Sequence, residues 1–187
     1  MIILGTGNMD VKGIRTQADL YCLFKKITER RPSFDGVTYT RTELEYRVGQ
    51  SRKRADLVLL AEEQNMKEKP FLVVETKRSK HEEKETNYDQ IVVVPGIGQI
   101  TVREGIARGL WDEMNYKYHA GALRQANEYA LVLSAPFYAV CYVGTLFIKS
   151  FVKQHGLFYS PIDLTEEFGL KLLKELAQLY NKISTRI

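Results

Sequence analysis

Three positions in the middle of the chain have the residue types and spacing that hydrolysis of a phosphodiester needs. They are Asp56 and, after eighteen intervening residues, Glu75 and Lys77 in the run Glu75-Thr76-Lys77. The segment Phe71 to Lys77 reads as a β-strand. Side chains alternate along a strand, so Glu75 and Lys77 project from one face, with Phe71 and Val73 deeper on it. Leu72, Val74 and Thr76 face the other way. A Glu and a Lys at the end of a strand that is apolar on both faces require a reason, because an unpaired buried charge is costly. The segment Ala55 to Leu60 reads as a neighbouring strand, which brings Asp56 beside Glu75. Two carboxylates a few ångströms apart repel, and a divalent cation between them removes that penalty. Magnesium takes one or two carboxylates and keeps several waters. Such a site supplies an activated water and positive charge for a developing phosphorane. Lys77 then orients or helps deprotonate the water, or stabilises the pentavalent transition state. The bland alternative is a surface Glu–Lys pair ending a strand, with an unrelated Asp in a turn.

The elements that must position these residues follow from periodicity and turn chemistry. Thr16 to Arg31 reads as a helix, with Leu20, Leu23, Phe24 and Ile27 at helical spacing and Thr16 and Asp19 resembling a capping box. Pro32 and Phe34-Asp35-Gly36 end it. Val37 to Val48 reads as strand and Gly49 to Arg54 as a basic turn. Ala61 to Pro70 is a charged loop that joins the Asp56 strand to the Glu75 strand as an antiparallel hairpin. Arg78 to Tyr88 is very polar and reads as loop or an exposed helical turn. Ile91 to Val94 and Ile100 to Val102, around Pro95-Gly96, suggest a small added hairpin. Arg103 to Tyr118 has no clear pattern. Ala120 to Leu133 is a helix packing through Ala122, Leu123, Ala126, Ala130 and Leu133, ended by Pro136. Phe137 to Val143 is a fully covered strand. Leu146 to Val152 is a further strand, and Thr165 to Ile183 an amphipathic helix. Strand Phe71–Lys77, a helix and strand Phe137–Val143 form a right-handed β-α-β crossover with parallel strands. The expected architecture is α/β: a mixed central sheet with helices on both sides.

Gln125 and Tyr129 lie four apart and therefore share a face of the second helix. Asp56, Glu75-Thr76-Lys77 and Gln125-x-x-x-Tyr129, in this order and strand context, resemble the PD-(D/E)XK nuclease superfamily. More narrowly they resemble its QxxxY branch, which includes RecB-type nucleases and the N-terminal nuclease domain of type I restriction enzyme R subunits. The similarity runs through Arg54 to Leu60, Phe71 to Arg78, Gln125 to Ala130 and Pro136 to Val140, and covers about residues 16–152. It implies a restriction-endonuclease-like fold and a magnesium- or manganese-dependent deoxyribonuclease. Asp56 and Glu75 are then metal ligands, helped by the carbonyl of Thr76, and Lys77 is the catalytic lysine. Gln125 and Tyr129 line the active site. Asp19, on the first helix, is the candidate for a further acidic ligand, with Glu43 and Glu45 as the other candidates. The cysteines that hold an iron–sulfur cluster in some relatives are missing. The insertion at about residues 78–118 is long, and suits a substrate loop or a dimer contact.

Composition fits this reading without demanding it. The chain has 187 residues, 44% hydrophobic and 27% charged, and suits a single soluble domain. It carries no apolar run long enough for a membrane span and no recognisable signal peptide, so a cytoplasmic location is expected. The net charge of +4 permits a polyanionic partner. Basic residues flank both acidic positions: Arg47, Arg52, Lys53 and Arg54 before Asp56, and Arg78 and Lys80 after Glu75. Arg52, Lys53, Arg54 and Arg78 are the candidate DNA contacts, which hold phosphates without reading bases. A homodimer and a separate helicase or translocase are open as partners. A nuclease-fold module that binds nucleic acid or a protein without cleaving is the rival reading. Cys22 and Cys141 read as buried free thiols. Gly5-Thr-Gly7 and Gly96-Ile-Gly98 do not continue into a phosphate loop, and His81, His119 and His155 stand isolated.

Overall fold

The computed structural model describes residues 17–64, 66–77, 89–108, 110, 117–142, 145–151, 156–159, 162 and 164–184. Helix α1 spans Gln17–Thr28. Leu20, Leu23, Phe24 and Ile27 form its buried stripe. Cys22 is exposed, not buried as its apolar surroundings suggest, because it lies half a turn away from Leu20. Strands β1 (Ser33–Phe34) and β2 (Val37–Arg47) follow. Asp35-Gly36 joins them with φ of 49° and 85°, the left-handed conformation that both central residues of a type I′ hairpin turn need. The sequence reading has a turn there and misses the two-residue strand before it.

Strands β3 (Arg54–Glu63) and β4 (Lys69–Lys77) form the expected antiparallel hairpin, but both run longer than periodicity indicates. Pro70 does not close a loop. It lies inside β4 at an irregularity, where the pairing passes from Leu59↔Leu72 to Leu60↔Pro70. Phe71 is the extra residue, a bulge position, and bulges are among the places where a sheet tolerates proline. The bulge breaks the alternation expected for this strand. Phe71 turns to the side of Leu72 and Val74, while Val73 faces the opposite core.

A two-stranded sheet of β5 (Ile91–Val94) and β6 (Gly98–Thr101) matches the expected hairpin. Helix α2 (Val102–Ala107) occupies part of the stretch without a clear pattern. Helix α3 spans Lys117–Leu133. It stops three residues before Pro136: Ser134 takes φ 54°, and the Ser134 and Ala135 N–H groups donate to the Leu131 and Ala130 carbonyls, a Schellman end. Strands β7 (Phe137–Tyr142), β8 (Thr145–Ser150) and β9 (Gly156–Tyr159) complete the main sheet. Helix α4 (Glu166–Ser184) is capped by Thr165, whose hydroxyl accepts from the Phe168 N–H at 3.2 Å.

Among the described residues the main sheet has seven strands in the order β1-β2-β3-β4-β7-β8-β9. Every neighbouring pair is antiparallel except β4–β7, which is parallel as the β-α-β crossover requires. Two cores lie on its two faces. On one, Leu57, Leu59, Phe71, Leu72, Val74 and Phe137 meet α1 and α4. On the other, Val58, Leu60, Val73, Tyr138 and Val140 meet α3 and the β5–β6 pair. The fold is thus mixed α/β, a large mixed sheet flanked by helices. Gly169 lets α4 close on α1: a Cβ there would lie 2.1 Å from Ile27 Cδ1. Among the described residues no helix is long and apolar enough to cross a membrane.

Candidate active site

The candidate site lies where the β3–β4 ladder ends. The last pair is Leu57↔Val74, whereas β4 stays paired with β7 as far as Lys77↔Tyr142. Beyond Val74, β4 is therefore held on one side and released on the other. One further step of the same register sets Asp56 across from Glu75. Glu75 is 1% exposed, on a strand whose other residues from Phe71 to Val74 are apolar and buried. Asp56, half-buried, closes the gap with its side chain: Oδ2 accepts the Thr76 N–H at 2.7 Å and the Thr76 hydroxyl at 2.9 Å. On the other side of β3, the pairs Leu44↔Leu57 and Tyr46↔Ala55 bracket Glu45 opposite Asp56. Glu45 has φ 50°, and the ladder skips it. Asp56 thus sits where pairing is interrupted on both flanks.

These carboxylates differ from ordinary surface acids. Elsewhere on the sheet, half-buried Glu63 pairs with Lys69 and accepts the Tyr180 hydroxyl at 2.8 Å. Lys69 shows the consequence: desolvation lowers its pKa, but the hydrogen bond to Glu63 and the electrostatic pull of Tyr180 and Glu63 outweigh this and hold it above the ordinary lysine value. Half-buried Asp56 and buried Glu75 stand on adjacent strands. Two carboxylates and the Thr76 carbonyl would together offer oxygen donors of the kind that magnesium or manganese accepts, with water completing the shell. Among the described residues there is no cluster of three or more His, Cys, Asp or Glu. A cation at this site would therefore rest on two carboxylates, the backbone oxygen and solvent.

Gln125 and Tyr129 share a face of α3, as their spacing requires. The Gln125 Nε2 amide donates to the Tyr129 hydroxyl oxygen at 3.1 Å, and Tyr129 is buried in the core beneath α3. Helix α3 lies across β4 and β7. Alternation along β4 puts Val73 and Glu75 on that same side, so the pair and the buried carboxylate face one layer. The backbone of Lys77 is the last rung of the β4–β7 ladder; its side chain lies outside the described residues, as does Arg78.

Asp19 lies in the first turn of α1, a helix that packs on the opposite face of the sheet from Val73 and Glu75. The structure does not bring Asp19 and Glu75 to one face, and neither Asp19 nor Glu43 and Glu45 complete a three-carboxylate cluster with Asp56 and Glu75. Thr16, the proposed capping partner of Asp19, lies outside the described residues.

The basic turn stands as expected between β2 and β3. Arg52, Lys53 and Arg54 are exposed and, among the described residues, enter no ion pair. Arg47 is different: its guanidinium reaches back to the Ser51 and Gln50 carbonyls at 3.4 Å and braces the turn. The feature that sequence reasoning missed is the hydroxyl of Thr76. Only its carbonyl is implied by the family resemblance, although a Thr between the two motif residues, close to an Asp, is a visible signal for a side-chain bond.

Comparison with protein-family models, with curated proteins and with solved structures returned no match. The functional reading therefore stands on the residues and their geometry.

Proposed function

We propose that this chain is a metal-dependent nuclease of the PD-(D/E)XK type, with a restriction-endonuclease-like fold, that hydrolyses phosphodiester bonds in DNA. One observation carries the reading: Asp56 and the buried Glu75 stand at adjacent strand ends where the β3–β4 ladder opens. The parallel β4–β7 pair and the bonded Gln125 and Tyr129 on the overlying helix support it.

In this reading Asp56 and Glu75, with the Thr76 carbonyl, hold magnesium or manganese. Bound there, the cation supplies an activated water and positive charge near the scissile phosphate. The chain's own groups do the rest. Lys77 follows Glu75 by two residues on the same strand. It orients the attacking water or neutralises charge on the phosphorane. Gln125 and Tyr129, fixed to each other on α3, line the site and support Lys77. Arg52, Lys53, Arg54 and Arg78 hold phosphates on either side of the cut.

The rival reading is a module that binds nucleic acid or a partner protein without cleaving. Incubating the purified chain with plasmid and with end-labelled single- and double-stranded oligonucleotides, with and without magnesium, separates the two. Magnesium-dependent strand breaks support the nuclease. Binding without breaks in either magnesium or manganese leaves the binding module.

A further inference from the structure

The Asp56 carboxylate is held in an unusual way. Two donors from one residue, the N–H and the hydroxyl of Thr76, end on the same oxygen of it, Oδ2, at 2.7 and 2.9 Å. A carboxylate oxygen offers two lone-pair sites, and two donors fill them. The terminal torsion of an Asp side chain is soft and has broad preferences. A single backbone donor leaves rotation about that one bond; a second donor on a different arm of the same residue removes it. The site is half-buried, so water competes weakly for either bond. Thr76 is itself fixed, because β4 remains paired to β7 through Thr76↔Cys141.

We propose that the Thr76 hydroxyl is a positioning group: it pins Oδ2 of Asp56 and so fixes the orientation in which this carboxylate meets a divalent cation. This rests on the nuclease reading above and adds to it a role for a side chain that touches neither substrate nor cation. Partners that orient metal ligands typically contribute ten- to hundredfold to metal affinity. Here the Thr76 N–H remains when the hydroxyl is removed, so the lower end applies, about tenfold.

The test is a manganese titration of the DNA-free protein, by calorimetry and by the electron spin resonance signal of free manganese. It is run on the wild type, Thr76→Val, Thr76→Ala and Thr76→Ser. Valine keeps the branched shape that suits a strand and loses only the hydroxyl, and alanine is a second hydroxyl-free variant should valine perturb packing. Both should bind manganese about tenfold more weakly, and serine should return affinity to within about threefold of the wild type. Single-turnover cleavage against manganese concentration should show the same shift in midpoint for Thr76→Val, with the rate recovering at saturation. A merely structural role instead lowers the rate at saturation and leaves the midpoint in place. Unchanged manganese affinity in Thr76→Val and Thr76→Ala, or equal loss in Thr76→Ser, overturns the inference while the nuclease reading stands. A wild type that binds no manganese and cleaves nothing overturns both.

Discussion

Phe71 is the residue that a simple strand pattern assigns to the wrong face, and the cost of removing it can be worked from its surroundings. Its side chain is fully buried. Its ring meets Tyr39 edge-on at 5.4 Å, Phe137 at 5.3 Å and Tyr180 at 5.2 Å. Phe71→Ala loses the transfer energy of a buried phenyl ring and leaves a cavity between sheet and helix, together about 3–5 kcal/mol. The ring contacts lie within that range and are not added to it. Against a total stability of about 5–15 kcal/mol, this is a severe loss. In urea, with a slope of about 2 kcal/mol per molar, the unfolding midpoint should fall by about 2 M. The sharper test is a double-mutant cycle with Tyr180→Leu. If the bulge turns Phe71 toward α4, the two residues are coupled by about 0.5–1.5 kcal/mol. Additive losses would refute the bulge, because a Phe71 that alternates with Val73 would lie on the α3 side, out of reach of Tyr180.

Two further predictions concern charge. Arg52 and Lys53 changed together to Ala, in a Glu75→Ala background with calcium in place of magnesium, should weaken binding evenly across DNA sequences and flatten the slope of log affinity against log salt by up to about 2; an unchanged slope moves the DNA path away from this turn. Glu166, at the start of α4, is hydrogen-bonded to Lys26, and this bond with the charges of Arg30 and Lys26 lowers its pKa against the opposing effect of desolvation. A carboxylate depressed in the folded state stabilises above its unfolded pKa, so the contribution is present above about pH 4.5 and lost as the pH falls below it. The difference in melting temperature between wild type and Glu166→Gln should therefore shrink from pH 7 to pH 3.5, and a constant difference would exclude the ion pair as its cause.

Much of the fold was legible because its signals are local. The stripe of Leu20, Leu23, Phe24 and Ile27, the run from Phe137 to Tyr142 and the leucines of α4 each follow from one element's periodicity. The parallel pairing of β4 and β7 also followed, since a helix between two covered strands leaves little choice. The bulge at Phe71 was not legible: it is set by pairing with β3, and only the partner strand says where one residue too many must fit. Strand β1 was missed because two residues cannot display a period, and β9 because it has no turn dipeptide like Pro95-Gly96 beside it to mark a hairpin. At the site, the spacing of Asp56 and Glu75 pointed to neighbouring strand ends. The bonds of Thr76 to Asp56 did not follow from it, because they depend on the ladder stopping one pair short.

The central claim is that Asp56 and Glu75 form a metal-dependent centre for phosphodiester hydrolysis, and single-turnover cleavage by wild type and Glu75→Gln in magnesium tests it most directly. Glutamine keeps the size of the buried side chain and removes its charge, so the fold should persist, as circular dichroism can verify. The rate should fall by at least about a hundredfold, and omitting magnesium should abolish cleavage by the wild type. Cleavage by Glu75→Gln at the wild-type rate, or wild-type cleavage that ignores magnesium, would contradict the account.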